Sequence, residues 1–480
     1  MKQALAVASA VVLLLSAPPT DALGQDGDFY RYVPLTAYLA ELAQSSSGLT
    51  TTVDLGDSWE KVSGGGTSDR DILAVRIGKK PENAILIIGG QHGNELLGVE
   101  ACRLSAKWLT TSYATDDYLK YLMDNAQVTV VPMVNPDGNE WGWETQGHLS
   151  DMRWRKNRRI NADGTVGVDL NRNYAHSMWG QDVAPGNQDT SRIPEDSTYC
   201  GQSPASEPEV QAIQGAMGSN TKVLLDMHAY GEIVAFPWGY TTSATMPDKD
   251  TLAELAVGMK GRMNQKFNKN SWVAAQSSKE PPLYPTTGDS LDYAYDAKSI
   301  LPFVFELRPK LGPFHTSADE ILPAAQEAFE GVKHLIEWTI GPPIVKKVVL
   351  SQDLDGDGVF SDIVYEAEWQ PSGSSRQLQI VRSAAVSRAG IVRVRIQYSK
   401  PMSDSQDTPD APQVSFGPAA PYEDISCTAV DGWTKTTYRN DTWEGECSIP
   451  LGLRTLEGVN TLTIQSSDKA QLGADLLRSS

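Results

Sequence analysis

Hydrophobic residues along the chain fall into short runs and into stretches with helical spacing. Leu35 to Ala43 has the spacing of a helix. Ala84 to Ile88 is a compact apolar run closed by Gly89-Gly90, the pattern of a buried strand ending in a tight turn. A helical pattern follows from Leu96 to Leu109, then an apolar strand from Val128 to Val134 that ends in Asn135-Pro136-Asp137-Gly138. Val223 to Met227 forms a third strand that leads into His228, and Phe303 to Leu307 a fourth that carries Glu306. Ile321, Leu322, Ala325, Phe329, Val332, Leu335 and Ile336 recur at steps of three and four, one face of a long helix. Strands that alternate with helices predict an α/β fold, a mixed but mostly parallel sheet flanked by helices.

The pattern changes at Gly341-Pro342-Pro343, where proline cannot continue the helix. Beyond it, Ile391, Arg393, Arg395 and Gln397 alternate with Val392, Val394, Ile396 and Tyr398. With Leu378 to Val381 and Leu462 to Ile464, this predicts an all-β, sandwich-like domain over 341–480, after the α/β domain over 25–340. At the N-terminus, Lys2 precedes an apolar run from Ala4 to Ala17, and Ala22-Leu23-Gly24 offers small residues for cleavage. Residues 1–24 therefore read as a secretory signal, too short in its apolar part to span a bilayer. A secreted protein meets an oxidising compartment, and Cys427 and Cys447, in one turn-rich segment, are the expected disulfide; Cys102 and Cys200 pair across the fold or stay as buried thiols. Asn440-Asp441-Thr442 is a glycosylation sequon or a polar turn. The formal net charge of −19 argues against a nucleic-acid surface.

Several residues carry candidate chemistry. His92 and Glu95 lie three apart beyond the Gly-Gly turn and can supply two ligands to one zinc ion, although the same pair also suits a helix start. His228 follows a buried strand, where open α/β sheets gather their active sites, and is either a third ligand or a satisfied core histidine. Glu306 is an acid in an apolar strand, so it is either salt-bridged, with Arg308 nearest in sequence, or a general base. Arg153-Trp154-Arg155-Lys156-Asn157-Arg158, taken alone, reads as a solvated basic loop. In an acidic chain such local positive charge also suits binding of a carboxylate.

Taken together, Gln91-His92-Gly93-Asn94-Glu95, Asn135-Pro136-Asp137-Gly138, Trp154-Arg155-Lys156, Val168-Asp169-Leu170-Asn171-Arg172-Asn173, Met227-His228-Ala229-Tyr230 and Phe305-Glu306-Leu307-Arg308 resemble the carboxypeptidase A-like zinc metallocarboxypeptidases, over about Tyr32 to Ile340. The resemblance implies one catalytic zinc ion held by His92, Glu95 and His228, with Glu306 as the base for the attacking water. It further implies Arg155 as the oxyanion donor, Asn171 and Arg172 as the clamp for a terminal carboxylate, and Tyr284 as a mobile tyrosine closing over it. Peptide or protein C-termini are then the substrates of a monomeric enzyme. The family's specificity position falls on Leu291, which favours apolar or aromatic C-terminal residues. Asp289 either faces the same pocket and accepts basic ones or serves as a turn residue. Ala229 stands where many relatives have a polar residue. No long pro-segment follows the signal, so no large propeptide removal is expected.

Asp353-Leu354-Asp355-Gly356-Asp357-Gly358 matches the start of a calcium loop over 353–366, with Val364 rather than Glu at the twelfth position and Asp362 or Glu366 left to close the shell; an acidic turn is the other reading. Two further functions stay open, a zinc amidase on cell-wall peptides and a surface- or matrix-binding protein acting through the β domain.

Overall fold

A computed structural model of the chain describes residues 26–64, 68–146, 153–183, 189–244, 246–279, 283–312, 314, 317–340, 345–372, 375–383, 390–398, 400, 402, 411–417, 427–435, 441–449 and 461–465. The predicted signal segment, the Gly341-Pro342-Pro343 boundary and Asn440 of the sequon lie outside the described residues.

The strands β1 (Thr50–Asp57), β2 (Asp71–Gly78), β3 (Ala84–Gly89), β4 (Gln127–Val131), β5 (Thr221–Ala229), β6 (Ile233–Phe236), β7 (Val273–Gln276) and β8 (Leu301–Leu307) form one sheet in the order β1-β2-β4-β3-β5-β8-β6-β7. The pairs β4-β3, β3-β5, β5-β8 and β6-β7 are parallel, whereas β1-β2, β2-β4 and β6-β8 are antiparallel. Helices α1 (Tyr32–Ser45), α2 (Trp59–Val62), α3 (Leu96–Thr111), α4 (Asp117–Asn125), α5 (Pro136–Gln146), α6 (Pro208–Ala216), α7 (Lys249–Lys266), α8 (Ser290–Lys298) and α9 (Ile321–Thr339) surround it.

The continuous apolar runs of the sequence are the central strands because both of their faces are covered. On β3, Ile85 and Ile87 enter the core shared with α1, α3, α4, α7 and α9, while Leu86 and Ile88 enter the core shared with α6 and α8. The same period of two holds on β5, where Val223, Leu225 and Met227 face the first core and Leu224 the second. Helix α3 lies so close to β5 that a Cβ at Gly98 would stand 2.3 Å from the Met227 carbonyl oxygen, beyond what any side chain tolerates. Gly90, at φ +63°, makes the tight turn after β3.

One strand is shorter than expected. Strand β4 stops at Val131, and Asn135 caps a helix instead of closing a loop: its Oδ1 accepts from the Gly138 N–H at 2.9 Å, and Pro136 takes the first helical position, where its missing N–H costs nothing.

After α9 the chain is β-rich. Strands β9 (Val345–Gln352), β10 (Asp362–Ser372), β11 (Ser375–Ser383), β12 (Gly390–Tyr398), β14 (Cys427–Thr434) and β15 (Thr442–Ile449) form an antiparallel sheet, and β13 (Gln413–Gly417) pairs with β16 (Thr461–Gln465). Val414 of β13 packs with Val394, Ile396, Tyr398 and Trp443 of the larger sheet, which gives the sandwich-like layering. Cys427 and Cys447 are disulfide-bonded, as expected; Cys102 and Cys200 are both buried free thiols, so they do not pair with each other.

Candidate active site

The C-terminal ends of β3, β5 and β8 converge on one cavity of about 230 Å³, lined by His92, Glu95, Arg155, Asn171, Arg172, His228, Ala229, Tyr284, Asp289, Leu291 and Glu306 among others. Every site residue expected from the sequence is therefore at the same place. His92, Glu95, His228 and Glu306 reach it from strand ends or the turn that follows, the usual location in open α/β sheets, whereas Leu291 comes from α8 and Arg155, Asn171 and Arg172 from the long connection between α5 and α6.

His92 and Glu95 sit in the turn between β3 and α3, and His228 is the penultimate residue of β5. His92 Nδ1 lies 2.8 Å from Glu95 Oε1, His228 Nδ1 lies 2.8 Å from Glu95 Oε2, and the two Nδ1 atoms are 3.1 Å apart. Ligand atoms from these three buried residues all fall within 4.8 Å of one another. A tetrahedral ion with bonds of about 2.0 to 2.1 Å spaces its ligands by about 3.3 Å, so two nitrogens and a carboxylate at these separations fit zinc. Burial pushes the Glu95 carboxyl up, but the adjoining His92 and His228 rings outweigh it and hold the group well below the usual carboxylate range.

Each imidazole turns its other nitrogen to a carboxylate. His92 Nε2 is 3.0 Å from Asp169 Oδ1, and His228 Nε2 is 3.0 Å from Asp226 Oδ2. Asp169 also accepts from Arg155 Nε at 2.8 Å and from the Asn171 N–H at 2.9 Å. Burial opposes charge on Asp169, yet Arg155, His92 and Arg172 together keep it ionised well below its ordinary range. Neither aspartate was singled out from the sequence. The signal was present, since Asp226 precedes His228 by two on a strand and so shares its face.

Arg155 does not belong to a solvated loop. Its Nη1 reaches Glu95 Oε1 at 3.3 Å, Lys156 is buried, Arg158 stacks between Trp141 and Trp154 at 3.6 and 4.7 Å, and Arg159 pairs with Glu207 at 2.6 Å. The two tryptophans and an acid 48 residues along the chain absorb Arg158 and Arg159. Arg172 is held by two carbonyl oxygens, Asp189 O at 2.6 Å and Asn171 O at 2.8 Å, and among the described residues it makes no ion pair. A buried guanidinium without a carboxylate at the edge of a cavity is suited to an anionic ligand.

Glu306 is half-buried and lines the cavity, and burial pushes its carboxyl up to about 8. It is not paired with Arg308, which instead binds Glu320 at 2.6 Å and Glu327 at 2.9 Å; neighbouring strand residues point to opposite faces only at odd steps, but Arg308 lies beyond the end of β8 and turns to α9. Tyr284 is 40 % exposed at the cavity mouth, whereas Leu291 is buried in its lining. Asp289 has both expected characters. It caps α8 by accepting from the Asp292 N–H at 2.8 Å, accepts from Thr286 Oγ1 at 2.6 Å, and also lines the cavity.

The calcium expectation fares differently. Asp353, Asp355 and Asp357 do cluster, but Asp353 accepts from the amides of Gly356, Asp357 and Gly358, and Asp357 from that of Val359. Val364 is a buried β10 residue, and Asp362 accepts from the Leu354 N–H. The loop closes on its own amides, and calcium gains no support beyond the acidic cluster.

Comparison with known proteins agrees with the geometry. The family described as zinc carboxypeptidase matches residues 35–331. The chain belongs to the zinc carboxypeptidase family. Mast cell carboxypeptidase A of Homo sapiens is 30% identical over 286 residues, covering 58% of this chain and 64% of that protein. Carboxypeptidase A2 of Rattus norvegicus is 30% identical over 307 residues, covering 62% and 66%. The match thus spans just under two thirds of either relative. Among solved structures, bovine thrombin-activatable fibrinolysis inhibitor in complex with tick carboxypeptidase inhibitor aligns with a TM-score of 0.57 at 26% identity, over 65% of this chain and 98% of that one. Carboxypeptidase A from Helicoverpa armigera gives 0.55 at 25% identity, over 64% and 73%. No helix among the described residues is long and apolar enough to cross a membrane.

Proposed function

We propose that the chain is a secreted zinc carboxypeptidase that hydrolyses the last peptide bond of a free C-terminus. The observation that carries this reading is the meeting of three metal-type ligands, a half-buried acid and a carboxylate-free buried arginine in one cavity. His92, Glu95 and His228 would hold the metal. A zinc ion there would polarise the scissile carbonyl and make hydroxide available from water near neutral pH.

The chain's own residues supply the rest. Glu306, with its carboxyl facing the cavity, takes the proton of the attacking water and returns it to the leaving amine. Arg155, oriented by Asp169, donates to the oxyanion of the tetrahedral intermediate, a role in which one donor contributes about 3 kcal/mol. Arg172 and Asn171 bind the terminal carboxylate, so that a substrate lacking it leaves a buried charge unpaired. Tyr284, exposed at the mouth, closes over the bound end. Leu291 selects apolar and aromatic C-terminal side chains, and Asp289 extends the range to basic ones.

All of these residues come from one chain, which suits a monomer. The Cys427–Cys447 disulfide suits an oxidising compartment, in keeping with cleavage of residues 1–24 on export. In this reading 25–340 is the catalytic unit and 341–480 an appended β domain.

The test is hydrolysis of blocked dipeptides ending in Phe, Leu, Arg, Lys or Glu, with and without a zinc chelator. Chelator-sensitive release of Phe and Leu is expected. No release from any free-carboxyl substrate overturns the reading.

A further inference from the structure

Asp226 is fully buried on β5, on the face that Leu224 and His228 share and that α8 covers. Its Oδ2 receives three groups. Ser290 Oγ donates at 2.6 Å, Gln91 Nε2 donates at close range, and His228 Nε2 stands at 3.0 Å. The orientation of the Gln91 amide is fixed from behind, because the Tyr174 hydroxyl donates to its Oε1 at 3.0 Å and leaves Nε2 for Asp226.

Around His228 Nε2 the alternatives are few. The other near group is Asn171 Nδ2 at 3.4 Å, itself a donor, whose Oδ1 is taken by the Ser290 N–H at 2.9 Å. Asp226 is therefore the acceptor for a hydrogen on Nε2. A neutral imidazole carries one hydrogen, so placing it on Nε2 leaves the lone pair on Nδ1, the atom that faces Glu95 and His92. Ligating histidines are ordinarily set by such an outer partner, and loss of it weakens metal binding by about 10- to 100-fold.

We propose that Asp226 is the positioning residue of His228: it holds the ring in the Nε2–H tautomer with Nδ1 aimed at the metal, and Gln91 and Ser290 hold Asp226 in turn. The proposal rests on the reading of His92, Glu95 and His228 as the zinc site. Ser290 is the first residue of α8 and adjoins Leu291, so the same carboxylate fastens the metal-bearing strand to the helix that lines the substrate cavity.

The experiment measures zinc affinity of the full-length chain by competition with a chromophoric chelator, for the wild type and for His228→Ala, Asp226→Ala and Asp226→Asn. One zinc per wild-type chain, lost in His228→Ala, establishes the site independently of Asp226. A wild type that binds no zinc, or a His228→Ala chain that binds it unchanged, overturns the underlying reading instead. With the site established, Asp226→Ala is expected to raise the zinc Kd by about 10- to 100-fold, and Asp226→Asn by less, because an amide oxygen still accepts the Nε2 hydrogen. Kd values within threefold of wild type in both Asp226 variants overturn the proposal. Should neither variant fold, nitrogen NMR of the imidazoles in the zinc-loaded wild type decides. A hydrogen on His228 Nε2 is expected, and one on Nδ1 overturns it.

Discussion

Glu306 sits directly across from His228 in the parallel ladder of β5 and β8, so the proposed base and one proposed ligand leave the sheet side by side on the same face. A base in that position acts on a water held near the ligand set without being part of it. Glu306→Gln keeps the shape and removes only the basicity. It is expected to lower kcat by about 10²- to 10⁴-fold while the zinc content stays at one per chain. Steady-state kinetics with metal analysis checks both halves; retained turnover removes Glu306 from the mechanism.

The roles proposed for the two arginines separate binding from chemistry. Arg155 is oriented by Asp169 toward the ligand set, whereas Arg172 is held by carbonyls away from it. Arg155→Ala is expected to lower kcat by about 10²- to 10³-fold with little change in KM. Arg172→Ala is expected to raise KM and to weaken the preference for a free over an amidated C-terminus. The split between kcat and KM is the measurement, and a reversed split exchanges the two roles.

Asp289 both caps α8 and lines the cavity, so a test of specificity must spare the cap. Asparagine caps a helix about as well as aspartate. Asp289→Asn is expected to leave release of Phe and Leu unchanged and to reduce release of Arg and Lys by about tenfold, one lost charge pairing. Equal effects on both substrate classes leave Leu291 as the determinant.

Much of this site was legible in the sequence because several local signals, each open to a second reading alone, coincide with the six motifs that carry the resemblance. The apolar runs of β3, β5 and β8 end where His92, His228 and Glu306 stand, and a strand followed by a polar residue needs no tertiary knowledge to read. What was not legible depends on partners far along the chain. Asp226 meets Gln91 and Ser290 across 135 and 64 residues, and only the fold joins them. Arg158 looked solvated because its stacking partner Trp141 lies in a helix whose start, at Pro136, read as the end of a strand. The antiparallel flanks of the sheet escaped for another reason: β1 has no continuous apolar run, and the runs Ile72–Val75 of β2 and Ile233–Phe236 of β6 are short enough that periodicity alone does not mark them as strands.

Glu209 predicts a pH dependence of stability. It is buried on α6 beside Glu207, accepting from the Trp59 N–H at 2.9 Å, and burial with the neighbouring Glu207 charge pushes its carboxyl from 4.5 up to about 8. The folded chain thus retains a proton that the unfolded chain releases above 4.5. Its contribution is fully present below that value and is lost as pH rises through 8. Glu209→Gln, neutral throughout, is expected to show a smaller fall in Tm from pH 5 to 8 than the wild type. Parallel Tm profiles for the two chains contradict it.

The β-rich region is fastened to the helices on the side of the sheet away from α8. Glu337, near the end of α9, accepts from Tyr118 of α4 at 2.9 Å, binds Arg262 of α7, and pairs with Lys346 of β9 at 3.4 Å; Lys435 of the segment after β14 reaches Glu254 of α7 at 3.0 Å. Burial opposes charge on Glu337, but Lys346 and Arg262 hold its carboxyl down at about 2, so it stays ionised. Such a junction has a buried hub at Glu337, which a freely tethered module would lack. Glu337→Gln leaves Arg262 and Lys346 without their carboxylate and is expected to cost about 2 kcal/mol of stability, less than a fully buried pair because both cations are partly exposed. Its kcat/KM per folded molecule should not change, since none of these groups lines the cavity. Ending the chain at Ile340 removes the Lys346 and Lys435 contacts and should lower Tm in the same direction. Unchanged stability in both chains would mean that the β-rich region is only carried along by the α/β region.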